Sequence, residues 1–148
     1  MHTYTSSLFH CVFATKNRAP SLRNDLRSRL WPYLGGIARE NGMKALAIGG
    51  AADHVHILLR LPATMPLAKA LQLLKGNSSK WMHETFPRLS HVAWQEGYGA
   101  FSISVSGVDE TIAYIRNQEQ HHRTRPFRDE VRAMLKRHGF NEQSAELD

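Results

Sequence analysis

Apolar and polar positions along the chain change their spacing several times, and each change marks an element. Residues 5–15, TSSLFHCVFAT, are rich in aromatic and β-branched side chains and predict a strand, and KNRAPS after them reads as a turn. From Leu22 the apolar residues Leu26, Leu30, Leu34 and Ile37 recur at helical spacing, which predicts a helix to about Asn41. Asn41-Gly42 suits its stop, and Pro32 with Gly35-Gly36 predicts a kink within it. KALAIGG (44–50) and HVHILLRL (54–61) then predict a hairpin joined through Ala51–Asp53. After the break at Pro62–Pro66, a second helix is predicted from Leu67 to about Phe86, with Leu67, Leu71, Leu74, Trp81 and Phe86 facing inward. HVAWQ (91–95) and AFSISVSG (100–107) read as further strands. Asp109 is placed to cap a third helix through about His122, and Phe127–His138 forms a final amphipathic helix.

The order is β-α-β-β-α-β with helices appended. It predicts an α+β, ferredoxin-like (split βαβ) arrangement, an antiparallel sheet with helices on one face and an additional C-terminal helix carrying Tyr114. One domain is expected over residues 1–138, with 139–148 a flexible acidic tail. The fold hosts many activities and leaves function open.

Composition narrows the picture. The chain has 148 residues, 42% of them hydrophobic, enough for one domain with its own core. Lys and Arg number 19 against 13 Asp and Glu, an excess that favours a polyanionic partner such as nucleic acid. The single cysteine, Cys11, excludes an intrachain disulfide, and its apolar surroundings assign it to the core. No signal-peptide pattern and no membrane-spanning run is seen, so a cytoplasmic protein with no membrane partner is expected.

The chemistry gathers at DHVHILLR, residues 53–60. Strand side chains alternate, so His54 and His56 share one face, about 7 Å apart along the backbone, and can converge on one cation. The same spacing also suits two solvated surface histidines. On the third helix Tyr114 and Gln118 are four apart and so share a face. The amide carbonyl is a hard oxygen ligand and the phenol a potential nucleophile. Each residue alone also has an ordinary reading, Tyr114 as a core aromatic and Gln118 as a surface polar group. Taken jointly, two histidines, a glutamine and a tyrosine around a cation suit phosphodiester transesterification. There is no Gly-rich phosphate loop and no GxSxG elbow to support other routes.

Five stretches in order, HCVFATKNRAP, DHVHILLRLP, LKGNSSKWMHETFP, WQEGYGAFSIS and YIRNQEQHH, resemble the single-tyrosine HUH transposases of small bacterial insertion sequences, including the REP-associated tyrosine transposases. The likeness covers roughly residues 7–128. It implies an enzyme that cuts and rejoins single-stranded DNA at hairpin-bearing ends through a 5′-phosphotyrosine. It further implies Tyr114 as nucleophile, with His54, His56 and Gln118 as ligands for Mg²⁺ or Mn²⁺. It also implies a homodimer in which the tyrosine helix can come from the partner chain.

Candidate DNA contacts are Lys16, Arg18, Lys75, Asn77, Ser79, Lys80, Arg116, Arg123 and Arg125, with Tyr98 and Phe101 for base stacking. Three rivals remain at this level. A histidine-triad or two-His phosphoesterase would want a third histidine where Leu58 stands, or a second HxT/S motif, which is not found. A non-catalytic single-strand binding module would not need the four site residues together. A domesticated transposase would keep the chemistry for a host task.

Overall fold

The computed structural model describes residues 1–120 and 126–141. Its main elements are β1 (Leu8–Ala14), α1 (Asn24–Glu40), β2 (Lys44–Gly50), β3 (His54–Arg60), α2 (Leu67–Thr85), β4 (Gly99–Ser102), α3 (Val108–Arg116) and α4 (Phe127–Arg137). The four strands form one sheet in the order β2-β3-β1-β4, with every neighbouring pair antiparallel. This is the ferredoxin-like arrangement that the element order predicts.

The sheet has helices on both faces, and strand alternation decides which side chains meet which helices. On one face Cys11, Phe13, Val55, Ile57 and Leu59 join Leu26, Leu30, Leu34 and Ile37 of α1 and Ala70, Leu71 and Leu74 of α2 in the main core. Burial there pushes the Cys11 thiol up to about 12, so it stays protonated and inert at neutral pH. On the other face Val12, Ala14 and Phe101 pack under Phe127 and Met134 of α4, and Ala47 and Leu58 pack under Ile115 of α3. His10, His54 and His56 lie on this second face. Six of the seven residues of β3 are buried, since it sits second in the sheet and is covered from both sides.

Several expected boundaries shift. Leu22 is buried as predicted but lies ahead of α1, which starts at Asn24. Pro32 sits inside α1 without ending it, because the buried Leu30 and Leu34 on either side hold the helix to the core. The helix stops at Asn41, and Gly42 takes the left-handed conformation expected of it, φ +75°. Residues 91–95 form no strand. Thr15 and Trp94 make one isolated bridge, and α2 supplies other partners: the His83 ring meets Val92 O at 2.6 Å, and Trp94 Nε1 donates to Ser78 Oγ at 3.0 Å. Asp109 is not the cap of α3. Gly107 holds that position, and Asp109 lies in the first turn, where a carboxylate still complements the exposed amides. α3 itself ends at Arg116, with Asn117 (φ −98°, ψ 16°) outside it, and the expected end near His122 lies outside the described residues.

Gly49 fixes the seat of α3. A Cβ at this position would lie 2.3 Å from the carbonyl oxygen of Ile115, so only glycine lets the helix backbone settle on β2. Gly49→Ala is therefore expected to lift α3 and the neighbouring Tyr114. The anticipated cost is about 1–3 kcal/mol, read as a fall of several degrees in Tm. An unchanged melting temperature would show that α3 is seated by other contacts.

Candidate metal and nucleophile site

Strand β3 delivers His54 and His56 to the face under α3 and α4, and β1 delivers His10 to the same face. All three rings are buried, the first two completely. One nitrogen of each β3 histidine is held from behind. His54 Nδ1 lies 2.8 Å from Asp53 Oδ1, and His56 Nδ1 lies 2.7 Å from His10 Nε2. Such partners fix ring orientation and tautomer, as around ligating histidines generally. Burial, followed by the neighbouring His56, lowers the His10 pKa from 6.5 to about 3, so His10 stays neutral at physiological pH.

Both Nε2 atoms turn towards the covering helices. His54 Nε2 meets Gln118 Oε1 at 2.9 Å. His56 Nε2 meets Glu130 Oε1 at 2.8 Å, and His54 Nε2 lies 3.9 Å from the same oxygen. The other carboxylate oxygen, Glu130 Oε2, accepts hydrogen bonds from the Tyr114 hydroxyl at 2.5 Å and from Gln118 Nε2 at 3.1 Å. The Tyr114 ring stands edge-on to His10 and His56, each centroid 5.8 Å away, and Phe127 stacks on His54 at 4.3 Å. Gln118 and Glu130 are each 1% exposed, while Tyr114 is only half-buried. The nucleophile candidate thus lies at the rim of a buried polar cluster.

The donor set fits a hard divalent cation. One donor atom each from His54, His56 and Glu130 lie within 4.8 Å of one another. Ligands at about 2.1–2.2 Å in octahedral geometry stand roughly 3 Å apart when adjacent and about 4.3 Å when opposite. The amide oxygen of Gln118 is a further donor on the same side.

The structure brings Tyr114, His54, His56 and Gln118 together, although not on the expected single helical face. α3 ends between Tyr114 and Gln118, and Gln118 reaches His54 from helical backbone that resumes over residues 118–120. Glu130, absent from the sequence reading, has a signal after all. Phe127, Glu130 and Met134 form the buried stripe of α4, so a carboxylate stands at a position where the helix calls for an apolar side chain.

The candidate DNA contacts disperse. Lys16 and Arg18 lie in the turn after β1, and Arg116 is exposed at the end of α3. Asn77 and Lys80 are exposed and Ser79 half-buried on α2, which packs against the face opposite the histidines. Lys75 serves the fold instead: its Nζ donates to Gln95 O at 2.7 Å and Gly97 O at 2.8 Å, tying down the loop before β4. Desolvation lowers its pKa there. Tyr98, on that loop, is exposed, whereas Phe101 is buried, stacked on His138 at 4.6 Å and unavailable to a base. Arg123 and Arg125 fall outside the described residues.

A tyrosine thus stands beside a paired-histidine cluster on this sheet, and a family model described as "Transposase IS200 like" matches residues 3–118. The chain belongs to that family of DNA-cleaving enzymes of transposition and recombination. It is 27% identical over 120 residues to the transposases for insertion sequence element IS200 of Salmonella typhimurium and Salmonella typhi, covering 81% of this chain and 79% of each relative. Among solved structures it is similar to a putative transposase from Deinococcus radiodurans, with 28% identity and TM-score 0.66 over 80% of this chain and 95% of that one. A REP-associated tyrosine transposase bound to a REP hairpin shares the fold, with 16% identity and TM-score 0.61 over 82% of this chain and 72% of that one. Among the described residues no helix is long and apolar enough to cross a membrane.

Proposed function

We propose that this transposase cuts and rejoins single-stranded DNA at hairpin-bearing ends, with Tyr114 as nucleophile and Mg²⁺ or Mn²⁺ held by His54, His56 and Gln118. The observation that carries this reading is the shared carboxylate: Glu130 joins the Tyr114 hydroxyl to the Nε2 of His56, so the phenol oxygen stands one side chain away from the paired imidazoles. Bound at these residues, the cation would polarise the scissile phosphate and offset the charge growing on its oxygens. Asp53 and His10 hold the two imidazoles in register. The Tyr114 oxygen attacks phosphorus, and the bond to the 3′-oxygen breaks. The products are a 5′-phosphotyrosine and a 3′-hydroxyl, which takes up a proton to replace the one lost by the phenol. Phosphoester bond energy is conserved, so the reverse step rejoins strands without ATP.

Hairpin-bearing single strands as substrate follow from the resemblance, and the hairpin held by the REP-associated relative supports them. The exposed Lys16 and Arg116 and the half-buried Arg18, with Tyr98, are the described residues best placed as DNA contacts. The net charge of +6 suits a DNA-bound protein. The test is incubation with Mn²⁺ or Mg²⁺ and labelled hairpin oligonucleotides drawn from the DNA flanking the gene. A metal-dependent covalent protein–DNA band on a denaturing gel is expected. Binding without any band would favour a non-catalytic binding module.

We further propose a homodimer. In the single chain Tyr114 already lies against its own His56, which supports a site assembled within one chain. Mixing Tyr114→Phe with His56→Ala chains is then expected to give no cleavage. Restored cleavage in the mixture would mean that the tyrosine helix crosses to the partner.

A further inference from the structure

We propose that Glu130 is itself a ligand of the divalent cation, giving a two-histidine, one-carboxylate set completed by Gln118. This rests on the metal site proposed above and extends it to a residue outside the family match, which stops at residue 118.

The first support is placement. Glu130 is 1% exposed and occupies the apolar stripe of α4 between Phe127 and Met134. A carboxylate buried there is costly unless something compensates its charge. The second is geometry. Oε1 lies 2.8 Å from His56 and 3.9 Å from His54, and Oε2 lies 3.1 Å from the Gln118 amide. Both carboxylate oxygens thus face residues proposed to hold the ion, and the 2.8 Å between Oε1 and His56 Nε2 is close to the spacing of adjacent positions in one coordination sphere. The third is charge. Two imidazoles and an amide bring no negative charge to this buried site, whereas Mg²⁺ and Mn²⁺ favour anionic oxygen. Glu130 supplies both the oxygen and the charge. Because its second oxygen also holds the Tyr114 hydroxyl, α4 ties the nucleophile to the metal site.

The experiment is binding of Mn²⁺ alone, without DNA, to the full chain, followed by the electron paramagnetic resonance signal of the free ion. Wild type is compared with Glu130→Gln, which keeps shape but loses charge, and with His54→Ala. Glu130→Gln is expected to weaken Mn²⁺ binding by at least about tenfold, as His54→Ala should. Unchanged affinity in Glu130→Gln beside a loss in His54→Ala would overturn the role of Glu130 and leave the histidine site standing. Absence of Mn²⁺ binding to wild type would overturn both. Should Glu130→Gln fold poorly in metal-free melts, the wild-type protein decides alone. In crystals grown with Mn²⁺, the anomalous peak is expected about 2.2 Å from a Glu130 oxygen. A peak on the histidines, with Glu130 beyond direct coordination, would refute the assignment.

Discussion

Tyr114→Phe is expected to abolish the covalent protein–DNA product while leaving DNA binding nearly intact. The substitution removes one oxygen and keeps the ring that stands edge-on to His10 and His56. The fold should survive, because Tyr114 is half-buried and its hydroxyl bonds to a carboxylate that His56 and Gln118 also hold. Loss of a nucleophile lowers turnover by roughly 10⁴–10⁶-fold where other parts of a site persist. Single-turnover cleavage measured beside a binding titration separates the two effects. Cleavage at the wild-type rate in Tyr114→Phe would remove Tyr114 from the mechanism. Equal loss of binding and cleavage would make it a structural residue.

His56→Ala should do more damage, because this ring has partners on three sides. It meets His10 through Nδ1 and Glu130 through Nε2, and it packs edge-on against Tyr114. Truncation deprives two buried polar groups of a partner and opens a cavity, together costing about 2–4 kcal/mol. At roughly 2–4 °C per kcal/mol for a domain of this size, the melting temperature should fall clearly. Cation affinity should fall by more than the roughly 10–100-fold that follows loss of an orienting neighbour, since a ligand itself is removed. Calorimetric titration with Mn²⁺ on folded protein checks this. Undiminished affinity would exclude His56 from the ligand set.

Much of this architecture was legible along the chain. The alternation of HVHILL and the leucine spacing of α1 and α2 predict their elements closely, because those patterns follow directly from which faces are buried. HVAWQ misleads, since it meets the end of β1 through a single isolated bridge and is otherwise held by side chains of α2, not by a continuous ladder. Phe101 reads as a candidate stacking platform only because a short sequence window cannot show that α4 returns to cover it. Gln118 reaches its place despite the end of α3, as the helical geometry resumes after Asn117. Glu130 is the instructive omission. A charged residue within the apolar stripe of a short helix is visible by spacing alone, yet its meaning depends on a strand more than seventy residues earlier in the chain.

That long reach has a consequence for synthesis. The cluster draws on β1, β3, α3 and α4, in that order along the chain, and α4 comes after every strand is in place. A nascent chain can complete the sheet and its α1–α2 face while the three histidines still lie uncovered. The histidine face is then closed only when α3 and α4 pack over the sheet. Chains ending before α4 would display the histidines without the carboxylate.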